Sequence, residues 1–275
     1  MEKHTCDNAT KTSACRKSWP WAWVPSLYFA EGLPYVIVIT LSVVMYKQLG
    51  LGNAEVAYYT GWFYLPWFIK PLWSPFVDLL KTKRWWIVAM QLLMGAGMAG
   101  IAFTLPMQHY LQWTLAIFWL LAFSSATHDV AADGFYMMAL DEGDQSFFVG
   151  IRSTFYRLAT LAGQGGMLII VDWFIRHNGN DAQQAWIHSF FLIAALFIAV
   201  GVYHACRLPR PHTDVPRQFA ARDLLREFAH TFITFFQKEG MLPALLFMLL
   251  FRFPEAQLSK MSIPFLMDPL TEGGL

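Results

Sequence analysis

Apolar residues run along this chain in blocks of twenty or more, separated by short polar stretches. A bilayer core of about 30 Å takes about 20 residues of helix, so each block predicts a membrane-spanning helix. The blocks read as span 1 from Trp23 to Tyr46, span 2 from Val56 to Leu79, span 3 from Trp85 to Leu105 and span 4 from Trp113 to Leu140. Span 5 runs from Phe147 to Phe174, span 6 from Trp186 to Cys206 and span 7 from Leu242 to Met267. The pattern divides the chain into a polar tail (1–19), a six-helix bundle (20–206), a polar connection (207–240) and a seventh span with its flank (241–275). Within the connection, Leu224, Leu225, Phe228, Phe232, Phe235 and Phe236 recur at helical spacing opposite Arg222, Arg226 and Glu227. That spacing predicts an amphipathic helix on the membrane surface. The fold class is all-α and integral to the membrane.

Composition agrees. The chain has 275 residues, 56% of them hydrophobic and 14% charged, where soluble domains carry about 25% charged residues. A net charge of +1 gives no sign of a nucleic-acid partner. Cys6, Cys15 and Cys206, even with His4, match no common zinc spacing, and neither a metal nor a cofactor is expected. Lys and Arg collect in the tail, in the 2–3 loop (Lys81, Lys83, Arg84) and in the 6–7 connection, whereas the opposite loops hold only Lys47 and Arg176. This asymmetry predicts a cytoplasmic N-terminus.

Charge inside the spans changes the picture more. Span 4 carries Ser124-Ser125-Ala126-Thr127-His128-Asp129 and then Asp133. An Asp at the centre of a membrane helix costs about 2.5–3.5 kcal/mol on insertion scales, and such residues mark pathways for ions or substrates. Asp129 and Asp133 are four residues apart and share one helix face. At about 1.5 Å of rise per residue, Glu31, Lys70, Asp129, Arg157 and Arg252 fall between about 12 and 16 Å from the cytoplasmic ends of five spans. Asp133 and Arg152 form a second, more cytoplasmic level. A shared depth points to mutual pairing around a central chamber, with Asp129 to Arg157 the first expected pair. Lys70 is left for Glu31, Asp133 or a substrate carboxylate. Tyr28, Tyr35 and Trp119 are aromatic candidates for stacking on a bound solute. Pro66, Pro71 and Pro75 predict a bent span 2. Small residues four apart in spans 3 and 5 predict close helix contacts.

Several stretches carry a resemblance. Gly32-Leu33-Pro34, Leu65-Pro66-Trp67-Phe68-Ile69-Lys70-Pro71-Leu72-Trp73-Ser74-Pro75-Phe76-Val77-Asp78, Ser125-Ala126-Thr127-His128-Asp129 with Asp133, and Tyr156-Arg157-Leu158 together resemble the AmpG-type permeases of the major facilitator superfamily. Asp78 with Lys81, Lys83 and Arg84 is similar to the superfamily's gate signature between spans 2 and 3, without its usual glycines. The resemblance covers Trp23 to Arg207. It implies a twelve-span fold of two six-helix halves, of which this chain holds the first and one span of the second, as a truncated form would. It also implies alternating access and proton-driven import of muropeptides across the bacterial cytoplasmic membrane. The expected site is then Asp129, Asp133, Arg157, Lys70, Glu31, His128 and Arg252 for proton coupling and substrate, with Asp78, Lys81 and Arg84 at the gate. The partners implied are a small solute, protons and the lipid bilayer. His128 and Glu31 depart from the residues usual there and alter the charge of the central layer. Relatives that carry acyl-CoA or siderophores, and a receptor that binds without transporting, are the alternatives. No nucleophile or metal motif accompanies His128 and Asp129, so an enzyme is not expected.

Overall fold

The computed structural model describes residues 19–267 except 178, 180, 216–225, 227–229, 231, 232 and 235; the side chains of 78, 79, 252, 256, 257, 259–261, 263, 264 and 267 are also outside it. Among the described residues all regular structure is helical. Five helices among the described residues are long and apolar enough to cross a membrane: Pro20–Gln48, Lys83–Thr104, Tyr110–Ala139, Glu142–His177 and Ala182–Arg207. These are spans 1, 3, 4, 5 and 6. Span 7 is the helix Met241–Met267.

Span 2 differs in kind. Residues 53–80 form a series of short pieces: α-helix Asn53–Gly61, a 3₁₀ turn Trp62–Tyr64, α-helix Leu65–Ile69, a 3₁₀ turn Lys70–Leu72 and α-helix Ser74–Leu80. Pro66, Pro71 and Pro75 each sit in the first turn of one of these pieces. A proline there gives up an N–H that has no helical partner anyway, so each one starts a segment instead of breaking one. The bend expected from the prolines is a chain of joints.

Spans 1 and 5 each contain one widened π turn, at Ile37–Leu41 and Ala162–Gly166, and the two turns touch. Where lipid surrounds the helices, association depends on close van der Waals packing, which small residues permit. A Cβ on Gly32 would stand 2.8 Å from the Tyr156 carbonyl oxygen. A Cβ on Gly97 would stand 2.8 Å from Leu121. The first glycine brings span 5 against span 1; the second seats span 4 on span 3.

The interior has two apolar clusters. One gathers Leu33, Ile37, Met94, Phe118 and Phe190; the other gathers Trp23, Leu27, Ile87, Phe135 and Phe148. Between them lies a buried polar layer that includes Glu31, Gln91, Ser125, Thr127 and His128. The Thr127 hydroxyl of this layer turns back to its own helix, donating to the Phe123 carbonyl at 2.8 Å. Its ionisable side chains need other partners, and these define the site. The amphipathic helix expected in the 6–7 connection falls mostly outside the described residues.

Candidate functional site

A cavity of about 460 Å³ opens at the polar layer among spans 1, 2, 4 and 5. Glu31, Lys70, Asp129, Asp133, Arg152 and Arg157 line it. Tyr28, Tyr35, Trp67 and Tyr156 add aromatic walls.

Each charged group arrives by a distinct local device. Asp129 and Asp133 stand one turn apart on span 4 and face the cavity together. Lys70 opens a 3₁₀ turn of span 2 and pairs with Asp129 Oδ2. The proline-jointed strand of helix pieces leans on span 4 here: the Trp73 indole N–H donates to Thr127 Oγ1 at 3.2 Å, and the Trp73 ring packs on Phe123 at 5.3 Å. That lean delivers the lysine. The expected Asp129 to Arg157 pair is therefore replaced by Asp129 to Lys70. Arg157 lines the cavity and makes no ion pair among the described residues.

At the second level Arg152 pairs with Asp133 at 3.0 Å. The Tyr28 hydroxyl donates to the same Asp133 oxygen at 3.1 Å. The Arg152 guanidinium lies over the rings of Tyr28 (4.6 Å) and Tyr136 (5.2 Å). Asp133 thus meets a cation, a hydroxyl and the cavity at once. Glu31 is 7% exposed and makes no ion pair among the described residues. Its Oε2 is buried without a hydrogen bond among the described residues, while its carboxyl lies within hydrogen-bonding reach of Asp129. Gly32 explains the position: its contact with Tyr156 draws this turn of span 1 into the wall.

His128 is not in the cavity. It is fully buried on the opposite side of span 4. Successive residues of a helix point about 100° apart, so a cavity-facing Asp129 turns His128 toward spans 3 and 6. There the Gln91 side-chain N–H donates to His128 Nε2 at 2.9 Å, and Gln91 Oε1 accepts from His204 Nδ1 at 2.9 Å. The chain of bonds ends at Ser26, whose hydroxyl is 3.0 Å from His204 Nε2. Four spans are clasped by it. Gln91 and His204 were legible as polar residues in apolar blocks, but only packing pairs them.

At the expected gate residues, Arg84 donates to the carbonyls of Leu208 (3.3 Å) and Ala205, and so ties the start of span 3 to the end of span 6. Asp214 of the 6–7 connection accepts from the backbone N–H of Lys83 (2.7 Å) and of Arg84 (3.1 Å). It had no sequence signal of its own. Lys81 is exposed, with Nζ 6.0 Å from the Trp85 ring centre. The side chains of Asp78 and Arg252 lie outside the described residues. Of the aromatic candidates, Tyr28 and Tyr35 line the cavity, whereas Trp119 packs between Phe63 and Phe123.

Comparison with known proteins places this geometry. The chain is 24% identical over 258 residues to "Putative transporter AmpG 4" of Rickettsia conorii, covering 88% of this chain and 58% of that protein. It is 25% identical over 202 residues to the "Anhydromuropeptide permease" of Escherichia coli K12, covering 69% of this chain and 37% of the permease. An uncharacterised protein of Haemophilus influenzae matches at 25% identity over 249 residues, or 87% of this chain and 55% of that protein. The chain spans about half the length of these curated relatives. Residues 26–268 match the model of the Major Facilitator Superfamily, and the chain, a multi-pass membrane protein, belongs to that family of transporters.

Proposed function

We propose that this chain forms the proton-coupling half of a secondary transporter that imports an anionic solute with protons across the bacterial cytoplasmic membrane. The observation that carries the reading is the paired layer in the cavity: Lys70 with Asp129 and Arg152 with Asp133. A proton on Asp129 removes the charge that holds Lys70, and one on Asp133 does the same for Arg152. Each released cation then meets a solute carboxylate, beside an Arg157 that pairs with no described carboxylate. A proton or solute shifts the inward–outward balance only by binding one state better than the other. These pairs supply that difference, because the carboxylates hold spans 2 and 5 only while charged. Glu31, against Asp129, adds a third acid to the same layer.

The name of the Escherichia coli relative suggests the solute class. A muropeptide is a sugar–peptide with carboxylates, and the cavity offers cations for the acids with Tyr28, Tyr35 and Tyr156 for sugar faces. The tail and the gate of Lys81 and Arg84 face the cytoplasm in this reading. Uptake of a labelled anhydromuropeptide into vesicles under an imposed pH gradient tests it. Asp129→Asn and Asp133→Asn each lower gradient-driven uptake at least tenfold; uptake that persists unchanged in both variants ends the coupling role. A second reading is solute binding without transport. Thermal stabilisation by the solute without accumulation supports it.

A further inference from the structure

A second cavity, of about 820 Å³, lies next to the first and shares one lining residue with it, Tyr35. The two are in series along the helices. On span 1 the walls run from Tyr28 and Glu31 through Tyr35 to Ile39, Thr40 and Val43. On span 5 they run from Arg152 and Tyr156 to Gln164 and Leu168, and on span 2, in the reverse chain direction, from Lys70 and Trp67 to Tyr64. Glu31 and Ile39 are separated by about 12 Å of helix, so the chambers are stacked along the spans.

The boundary is built from three rings. Tyr35 meets Trp67 edge to face at 5.1 Å between centres and Tyr64 at 6.4 Å. The Tyr35 and Tyr64 side chains are also hydrogen-bonded. Tyr64 and Trp67 flank Pro66 and belong to the jointed region of span 2, between and within its 3₁₀ turns. Trp67 precedes Lys70 by three residues, on the same short stretch of chain. On the far wall of the second cavity, Ile39 and Gln164 come from the two π turns; such turns recur at functional sites.

We propose that Tyr35, with Trp67 and Tyr64, is a movable partition between two chambers of one translocation path, and that the Lys70–Asp129 ion pair holds it shut. The joints on either side of Leu65–Ile69 let this piece shift without unwinding the rest of span 2. Loss of the ion pair frees the Lys70 end of the piece, and Trp67 withdraws from Tyr35. The two chambers differ in chemistry. The first concentrates charge, while the second carries Thr40, Gln48 and Gln164 among Val43, Val44 and Leu168, is closed by Leu266 of span 7, and holds one acid, Asp172, which is paired with Arg176 at 2.9 Å. A solute with an ionised end and a neutral polar body fits the two in turn. This deepens the transport reading but is tested without uptake.

The test is thiol accessibility in the membrane, with Cys6, Cys15 and Cys206 replaced by Ser. Thr40→Cys reports the second chamber and Ser153→Cys the first. A membrane-impermeant maleimide is added on the side from which Thr40→Cys reacts. With Tyr35 in place, Ser153→Cys is unreactive from that side; Tyr35→Ala, Trp67→Ala or Lys70→Met raises its labelling rate at least tenfold while Thr40→Cys labels as before. Trp67→Ala removes the partition from its other wall and keeps the test valid if Tyr35→Ala does not fold. The proposal is overturned if Ser153→Cys already reacts from that side with all three rings intact. It is equally overturned if it stays protected in the ring variants that still expose Thr40→Cys. Labelling in the ring variants but not in Lys70→Met overturns the ion pair's part. A protein that passes this test yet shows no proton-driven uptake retains the partition and loses the transport reading.

Discussion

The pairing of Asp129 with Lys70, and not with Arg157, is open to a direct energetic test. The perturbation is a double-mutant cycle of Lys70→Met and Asp129→Asn, each close in volume to the residue it replaces. The side chains of the pair are 35% and 16% exposed, so it lies between two limits. Exposed ion pairs contribute about 0–1 kcal/mol, whereas breaking a buried pair costs about 3–5 kcal/mol. Partial exposure places the expected coupling at about 1.5–3 kcal/mol. Each single variant leaves one charge in the polar layer without its partner; the double variant leaves none. The double variant is therefore more stable than the sum of the singles implies, and that excess is the coupling. The assay is equilibrium unfolding of the purified chain in detergent, followed by far-UV circular dichroism. A parallel cycle pairs Asp129→Asn with Arg157→Met and is expected within about 0.5 kcal/mol of additivity. A Lys70 coupling near zero, or a larger one for Arg157, refutes the pairing and with it the latch assigned to span 2.

Three further outcomes follow from the packing. Gly32→Ala places a methyl 2.8 Å from the backbone oxygen of Tyr156; backbone cannot swing aside, so unfolding in detergent should show a loss of about 1–3 kcal/mol, while Gly61→Ala, with nothing within 4 Å, should show none. Gln91→Leu removes the central link of the clasp and leaves His128 and His204 without that partner; at about 1–3 kcal/mol for each buried group left unsatisfied, it should lower the melting temperature far more than a change at the exposed Gln112, Gln112→Leu, measured by the same thermal scan. Asp214→Ala takes away the acceptor for two N–H groups at the start of span 3. Loss of such a cap costs about 0.5–2 kcal/mol, and amide exchange should speed up at Lys83 and Arg84 while remaining unchanged at the middle of span 3.

Much of this architecture is legible in one dimension because a bilayer imposes a length. A helix must stay apolar for the thickness of the hydrocarbon, so blocks of hydrophobic residues mark spans 1 and 3–6 with ends a few residues from those observed. Proline positions likewise announce the joints of span 2, since the missing N–H acts within one turn. The same locality places Asp129 and Asp133 on one face, because residues four apart always share it. Membership of a transporter family is readable at this level too, from runs such as Leu65 to Asp78 and from the match over residues 26–268.

What local rules do not carry is which charge meets which. Depth along a span follows from counting, but rotation about its axis and the lean of one helix on another come from packing. Gly32 against Tyr156 and Trp73 against Thr127 set those angles. They bring Lys70 and not Arg157 to Asp129, turn His128 away to Gln91, and stack a second chamber behind Tyr35. In this protein the sequence by itself determined five membrane-crossing helices, their order and the shared face of Asp129 and Asp133. The partners within the charged layer were decided by the tertiary structure, because an ion pair between helices depends on contacts 59 residues apart in the chain, as for Lys70 and Asp129.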